Sequence, residues 1–252
     1  MANTNKNTYC IFDDFLVFQG RYGKSSMHMH HYLQIGVSNS SVFHLKGEGW
    51  KTQQTVSSFY IQPDVSHRLQ LSGEDTVLMI WLDPETATHF SFENKGDIHF
   101  PLLQELEPEL KSFCDILLDC DRAKEIRRVV LQKSIDESEF DERVQNAILW
   151  IKEHLVDQTI SVEQLAGEVY LSPGRFMHLF SEEVGIPVRK FILWQRLKHT
   201  LLVMSEGENI TKAAHSAGFT DSSHMNRTFN AMFGITPSKI FKNSRFIQVF
   251  PC

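Results

Sequence analysis

Leu165-Ala166, Tyr170-Leu171, Phe180 and Gly185-Ile186 recur 48–49 residues later as Ala213-Ala214, Gly218-Phe219, Phe229 and Gly234-Ile235. The offset grows from 48 to 49 between Leu171 and Phe180, so the second copy carries one extra residue in its turn. Each copy reads as a short helix, a tight turn and a second helix that stops at a glycine. A repeated unit of this kind presents two helices to successive major grooves of DNA.

Local chemistry supports the reading. Ser161 and Gln164 form an S-x-x-Q capping box that starts a helix through Val169. Ser172-Pro173 offers an N-cap with proline in the first helical position. The following helix gathers Phe176, Leu179, Phe180 and Val184 on one side, and Gly185 supplies a left-handed stop. In the second copy a helix around 212–216 leads into Ala217-Gly218, with glycine suited to a positive-φ turn. Asp221 or Ser222 caps the next helix, whose buried side is Met225, Thr228, Phe229 and Met232. Thr236-Pro237 then starts one more helix. Val188 to Met204 contains no breaker, and Leu193, Trp194, Leu197, Leu201 and Met204 mark one continuous helix joining the copies.

The stretch from about Phe140 to Phe241 closely resembles the DNA-binding domain of AraC-type transcription regulators. The most specific residues are Ala213-Ala214 with Gly218-Phe219, then Ser223-His224-Met225-Asn226-Arg227-Thr228-Phe229, then Phe233-Gly234-Ile235-Thr236-Pro237. The resemblance implies a double-stranded DNA operator as partner, and base contacts from Gly174, Met177 and His178 and from Ser222, Ser223, Asn226 and Arg227. Helical spacing leaves Arg175 on the same exposed stripe as the first set. Arginine can bond guanine twice and asparagine adenine twice, while serine reads either base loosely. A phosphate contact alone is the alternative for Arg175 and Arg227. The chain departs from the family at three places. Tyr170-Leu171 replaces a small first-turn residue, Pro187 sits one position early, and Ile240-Phe241 stands where an aromatic and an arginine are usual. Lys239, Lys242 and Arg245 could replace that phosphate contact.

The net charge of −6 argues against nonspecific coating of nucleic acid, yet it is segregated. Residues 1–138 hold 13 Lys and Arg against 19 Asp and Glu, whereas from Tyr170 onward there are 10 basic and 5 acidic residues. The positive side coincides with the expected DNA surface.

Residues 1–100 alternate short β-rich runs with turn signals: Tyr9–Phe18, Tyr32–Val37, Ser41–Leu45, Phe59–Ile61, His67–Leu71 and Thr76–Leu82. Gly20, Gly23, Gly47, Gly49, Pro63 and Gly73 punctuate them. His28-Met29-His30-His31-Tyr32-Leu33-Gln34, followed by Pro63-x3-His67, resembles the two half-motifs of a cupin barrel, the usual effector domain of AraC-type regulators. The resemblance places His28, His30 and His67 at the metal-binding histidines of cupin enzymes and Gln34 at their glutamate. A neutral amide is a poor replacement for a carboxylate. His28, His30, Gln34 and His67 are therefore read as candidates for binding a small-molecule effector, and neither a metal, a cofactor nor an enzymatic activity is expected. Trp50, Phe59, Tyr60 and Trp81 are candidates for the pocket wall. The alternative is a metal-binding or enzymatic cupin domain with a DNA-binding tail.

The overall expectation is an α+β chain of two domains. A small N-terminal cupin-like β-barrel spans 1–100, linker helices expected to form a homodimer and carry the effector signal span 101–138, and an all-α domain with two helix-turn-helix units joined by a long helix spans 139–252. Pro101 opens the first linker helix and Ile126, Val129, Val130 and Leu131 line the second, with Arg127-Arg128 on a solvated face. The polar start and the absence of a long apolar run fit a cytoplasmic protein with no membrane partner. Cys10, Cys114, Cys120 and Cys252 lack metal-site spacing and are read as reduced thiols.

Overall fold

The computed structural model describes residues 7–21, 23–72, 76–88, 98–99, 105–132, 139–156, 160–238 and 247–252. It divides into two compact units, one of Met1–Ile135 with Phe229–Cys252 and one of Asp136–Thr228.

The first unit is built on two sheets. The larger runs in the order β10-β1-β2-β8-β3-β6-β9, and the smaller in the order β5-β4-β7. Their members are β1 (Asn7–Ile11), β2 (Phe15–Gly20), β3 (Leu33–Val37), β4 (Val42–Gly47), β5 (Gln54–Val56), β6 (Ser58–Ile61), β7 (His67–Ser72), β8 (Val77–Leu82), β9 (Ile98–His99) and β10 (Ile247–Pro251). The strands β2, β3 and β8 are buried at every position, whereas β4 alternates buried and half-buried residues. Continuous apolar runs such as Val77-Leu78-Met79-Ile80-Trp81-Leu82 suit a strand covered on both faces, and alternation suits one covered on a single face.

The short α1 (Pro84–Ala87) follows β8, and one face of the large sheet is covered by α2 (Leu106–Ser112) and α3 (Cys120–Leu131). Leu106, Leu110, Ala123, Ile126, Val129 and Val130 share one core with Val17, Leu33, Ile35, Leu78 and Ile80. The side of α3 expected to serve dimerisation thus packs within its own chain, because β2, β3 and β8 offer it an apolar surface. Gln19 fastens the connection between the two helices. Its Nε2 lies 3.0 Å from Phe113 O and 2.6 Å from Ile116 O, and its Oε1 accepts from Leu118 N at 2.8 Å. A buried amide whose polar atoms all find partners fixes a loop where a bare apolar contact would let it slide.

Three expectations need correction here. The run Tyr9–Phe18 is a hairpin, with Tyr9 opposite Phe18 and Ile11 opposite Leu16. Phe12-Asp13-Asp14 makes its turn without glycine or proline, closed by Phe12 N donating to Phe15 O at 2.8 Å. Arg127 is not simply solvated, since its Nε donates to Asp14 Oδ1 at 3.1 Å, while Arg128 is exposed. Cys120 and Cys252 form a disulfide across 132 residues, leaving Cys10 and Cys114 as buried thiols. The bond forms because β10 pairs in parallel with β1 and Cys252 N donates to Ile11 O at 2.9 Å, bringing the chain end to the start of α3. Residues from Phe229 onward group with the first unit. The readings at Pro101, Gly73 and Ile135 and at Lys239, Ile240-Phe241, Lys242 and Arg245 lie outside the described residues.

The second unit is helical. It contains α4 (Glu142–Glu153), α5 (Val162–Glu168), α6 (Pro173–Val184), α7 (Val188–Ser205), α8 (Ile210–Ser216) and the first part of α9 (Ser222–Phe233). Val144, Ile148, Leu165, Phe176, Phe180, Phe191 and Ile192 belong to one core. The 18 residues of α7 span about 27 Å at ~1.5 Å per residue. Trp194 and Leu197 on α7 are completely buried, as are Ala213 and Ala214 on α8, whose small side chains let a helix approach closely.

Candidate nucleic-acid interface and histidine site

The two helix-turn-helix copies share their backbone bonding residue for residue. Tyr170 N donates to Gly167 O at 3.1 Å and Leu171 N to Ala166 O at 2.8 Å. In the second copy Gly218 N donates to His215 O at 3.0 Å and Phe219 N to Ala214 O at 3.0 Å. This is the doubly bonded helix stop that needs one left-handed residue, supplied by Tyr170 at φ 56° and by Gly218 at φ 76°. The helices that follow are capped by Ser172, which accepts from Arg175 N at 3.4 Å, and by Asp221, which accepts from His224 N at 2.7 Å. Gly185 at φ 77° and Gly234 at φ 66° follow their last residues. Ser161 caps α5 as expected, whereas the cap of α8 is Asn209, whose Oδ1 accepts from Thr211 N and Lys212 N. The clue to it was an asparagine three residues before Lys212.

The expected faces are present. Phe176, Leu179, Phe180 and Val184 are buried on α6, and Met225, Phe229 and Met232 on α9, where Thr228, expected with them, is half-buried. Gly174, Arg175, Met177 and His178 are exposed on α6. On α9 Ser223 and Arg227 are exposed, while Ser222 and Asn226 are half-buried. The two stripes differ chemically. The first offers a glycine, a thioether, an arginine and an imidazole, and His178 Nδ1 lies 3.4 Å from Glu182 Oε2. The second offers two hydroxyls, an amide and a guanidinium, all able to bond base edges.

In the first unit β7 and the segment before β3 bring the histidines together. His28 and His67 form a β-bridge, with His28 N donating to His67 O and His67 N to His28 O, both at 2.9 Å. Ring centroids lie 4.2 Å apart for His28 and His67, 4.8 Å for His30 and His67, and 5.8 Å for His28 and His30. Gln34 Oε1 lies 2.8 Å from His30 Nε2, so all four candidates form one cluster. Burial pushes the pKa of all three histidines down, and for His30 the neighbouring His67 and His28 add to the effect. That of His67 falls to about 3. The three rings are therefore neutral near pH 7. His67 Nε2 is buried and has no hydrogen-bond partner among the described residues, a cost of about 1–3 kcal/mol. Among the other wall candidates, Phe59, Tyr60 and Trp81 are buried and Trp50 is half-buried.

Residues that spacing did not point to surround the cluster. Tyr32 stacks on His30 at 3.8 Å between centroids, and its hydroxyl donates to Met232 O at 2.8 Å. Phe233 packs near Tyr32 and Trp81, at 5.8 and 6.3 Å. Ser26 N donates to Gly234 O at 2.8 Å. The last turn of α9, which belongs to this unit, is thus held beside the histidines.

Residues 165–243 match the family model described as "Helix-turn-helix domain". Residues 165–243 are accordingly a helix-turn-helix region. Among curated relatives, the arabinose operon regulatory protein of Salmonella typhimurium is 32% identical over 114 residues, which are 45% of this chain and 40% of that protein. The corresponding Escherichia coli K12 protein is 33% identical over 101 residues, 40% of this chain and 35% of that protein. The chain therefore spans about two fifths or less of the length of these relatives. Among solved structures, unsaturated-fatty-acid-bound ToxT from Vibrio cholerae aligns with a TM-score of 0.57 at 13% identity, over 95% of this chain and 96% of that one. An apo ToxT variant gives 0.59 at 13% identity, over 90% and 96%. At that identity the likeness shows the fold, N-terminal sheets followed by helices. No helix among the described residues is long and apolar enough to cross a membrane.

Proposed function

We propose that this chain is a sequence-specific DNA-binding transcription regulator whose N-terminal sheets form a cupin-like barrel that binds a small-molecule effector. Residues 139–252 act as the DNA-binding domain, 1–100 as the effector domain and 101–138 as the connection. The observation that carries the reading is the repetition of one helix stop, at Tyr170 and at Gly218, ahead of two helices with exposed polar stripes. Arg227, Asn226, Ser222 and Ser223 supply most of the base reading, and Arg175, Met177, His178 and Gly174 complete the contact from α6. Activation is the expected output, in the cytoplasm, with no catalytic step. A homodimer through surfaces of α2 and α3 left outside the core belongs to the same reading. The fatty-acid-bound state of the ToxT neighbour supports a small-molecule effector for a chain of this fold. The cluster of His28, His30, Gln34 and His67 is its candidate site, and the bonds from Ser26 and Tyr32 to Gly234 and Met232 offer a route from the barrel to α9.

The test is selection of an operator from random duplexes by the full chain, followed by Arg227→Ala. Affinity for the selected site is expected to fall by about 1–3 kcal/mol, with relaxed preference at one base pair. Equal losses on selected and random DNA would make Arg227 a phosphate contact only. Failure to enrich any sequence would overturn the reading itself.

A further inference from the structure

The Cys120–Cys252 bond ties together two points of the first unit, and every residue of the second unit, Asp136–Thr228, lies between them in sequence. At the Cys252 end the non-covalent hold is short. β10 has five residues, stands at the edge of the large sheet, and pairs in parallel with β1 alone among the described strands. Parallel pairs are slightly weaker per residue than antiparallel ones. Cys252 N donates to Ile11 O at 2.9 Å, so the backbone of Pro251 faces away from β1, where a proline has no N–H to offer a further strand. Bringing residues 247–251 to residues 7–11 also closes most of the chain into a loop, and the short ladder must offset that entropy. A covalent link from Cys252 to the start of α3 removes much of this cost. Cys120 and Cys252 are half-buried, within reach of a reductant, whereas Cys10 and Cys114 are buried.

We propose that Cys120 and Cys252 form a reversible redox site, opened by thiol reductants, and that opening it releases β10 from β1. The chemistry is thiol–disulfide exchange. A reductant thiolate attacks one sulfur of the pair, the S–S bond breaks, and the other cysteine leaves as a thiolate that takes up a proton. A second reductant thiolate attacks the mixed disulfide, the remaining cysteine leaves and is protonated, and the reductant departs as its own disulfide. Two electrons pass to the cysteine pair, and the reverse sequence restores the bond. Cys10 stands on β1 opposite Phe250 but does not compete. Burial pushes its thiol, and that of Cys114, up to about 12, and the thiolate is the form that exchanges. A protein that binds DNA in the cytoplasm works among thiols that keep cysteines reduced, where a disulfide is transient and redox-sensing and does not act as a permanent staple. That last argument rests on the function proposed above; the release of β10 stands on the topology alone.

The experiment uses the full chain, equilibrated with reduced glutathione or with glutathione disulfide and then quenched in acid. Alkylation of the unfolded chain followed by mass spectrometry counts the thiols. The oxidised chain is expected to show Cys10 and Cys114 alone, the reduced chain all four cysteines, and the two forms should interconvert. In the folded, reduced chain iodoacetamide should modify Cys120 and Cys252 at least about 100-fold faster than Cys10 and Cys114. Amide hydrogen exchange reads the strand: reduction should speed exchange at least about tenfold in peptides covering 247–252, with 15–20 and 77–82 unchanged. Cys252→Ser should show the fast exchange in 247–251 with or without reductant. Absence of the bond after oxidation would overturn the site, and a bond that persists in excess reduced glutathione would make it a permanent staple. Reduction with unchanged exchange in 247–252 would overturn the release of β10. No readout uses DNA, so each failure is distinguishable from failure to select an operator.

Discussion

Tyr170 and Gly218 occupy the same place in the two helix-turn-helix copies, take the same left-handed backbone and close the same pair of hydrogen bonds. One is a tyrosine, 96% exposed; the other is a glycine beside the Arg196 guanidinium. A side chain at Gly218 would sit 3.0 Å from that guanidinium. At Tyr170 the ring projects into solvent, so the turn tolerates a residue that costs about 1–2 kcal/mol in this conformation. The repeated fold constrains the backbone, while the neighbours of each turn choose the residue. The reading helices diverge in the same way, with α9 rich in hydrogen-bonding groups and α6 carrying a glycine and a methionine.

Predictions that break or sharpen this comparison fall in order of size. Phe180 and Phe229 are matched and both fully buried, so replacing either by alanine should cost about 3–5 kcal/mol. Because the units divide at Phe229, urea unfolding followed by hydrogen exchange should show Phe180→Ala loosening α4–α6, and Phe229→Ala loosening the sheets of the first unit. Equal loosening of both units by either variant would dissolve the division.

Acid should separate the units as well. His67 takes up a proton near its ordinary value of 6.5 when unfolded but only near pH 3 when folded. Below pH 6.5 the unfolded chain binds the extra proton, so stability falls as pH drops from 6.5 toward 3. Between pH 7 and 5 the first unit should lose about 2 kcal/mol through His67 alone. Thermal unfolding at the two values checks this, and a loss that survives His67→Ala undiminished would contradict it.

The readers should differ next. Against a selected operator, Arg227→Ala is expected to cost about 1–3 kcal/mol, and Met177→Ala less than about 1 kcal/mol, by titration of labelled duplex. A larger loss at Met177 would reverse the ranking of the two helices. The smallest pair concerns the turns. Gly218→Ala should destabilise the second unit by about 1–2 kcal/mol, and Tyr170→Gly should stabilise it by up to about 1 kcal/mol. Chemical denaturation checks both.

The helical half was largely legible because its signals are local. Ser161, Ser172, Gly185 and Gly218 mark ends of elements within a few residues of where the bonds form, and the apolar stripes of α6 and α9 follow a helical period. The sheets were legible only in outline. The break at Asp13-Asp14 carries neither glycine nor proline, β5 is three residues long, and β10 pairs with β1 across the whole chain. For the same reason the Cys120–Cys252 bond and the Tyr32–Met232 bond leave no trace in spacing. The histidines could be nominated from their motif, but the contacts of their Nδ1 atoms with the carbonyls of Ser26, Tyr32 and Val65 appear only in three dimensions.

The central claim is that one chain reads DNA with two helices. Hydroxyl-radical footprinting of the full chain on its selected operator tests it most directly. The account predicts two protected segments centred about one helical turn, 34–36 Å, apart, with the one assigned to α9 lost in Arg227→Ala. Protection confined to a single major-groove segment, unchanged by substitutions on α6, would contradict it.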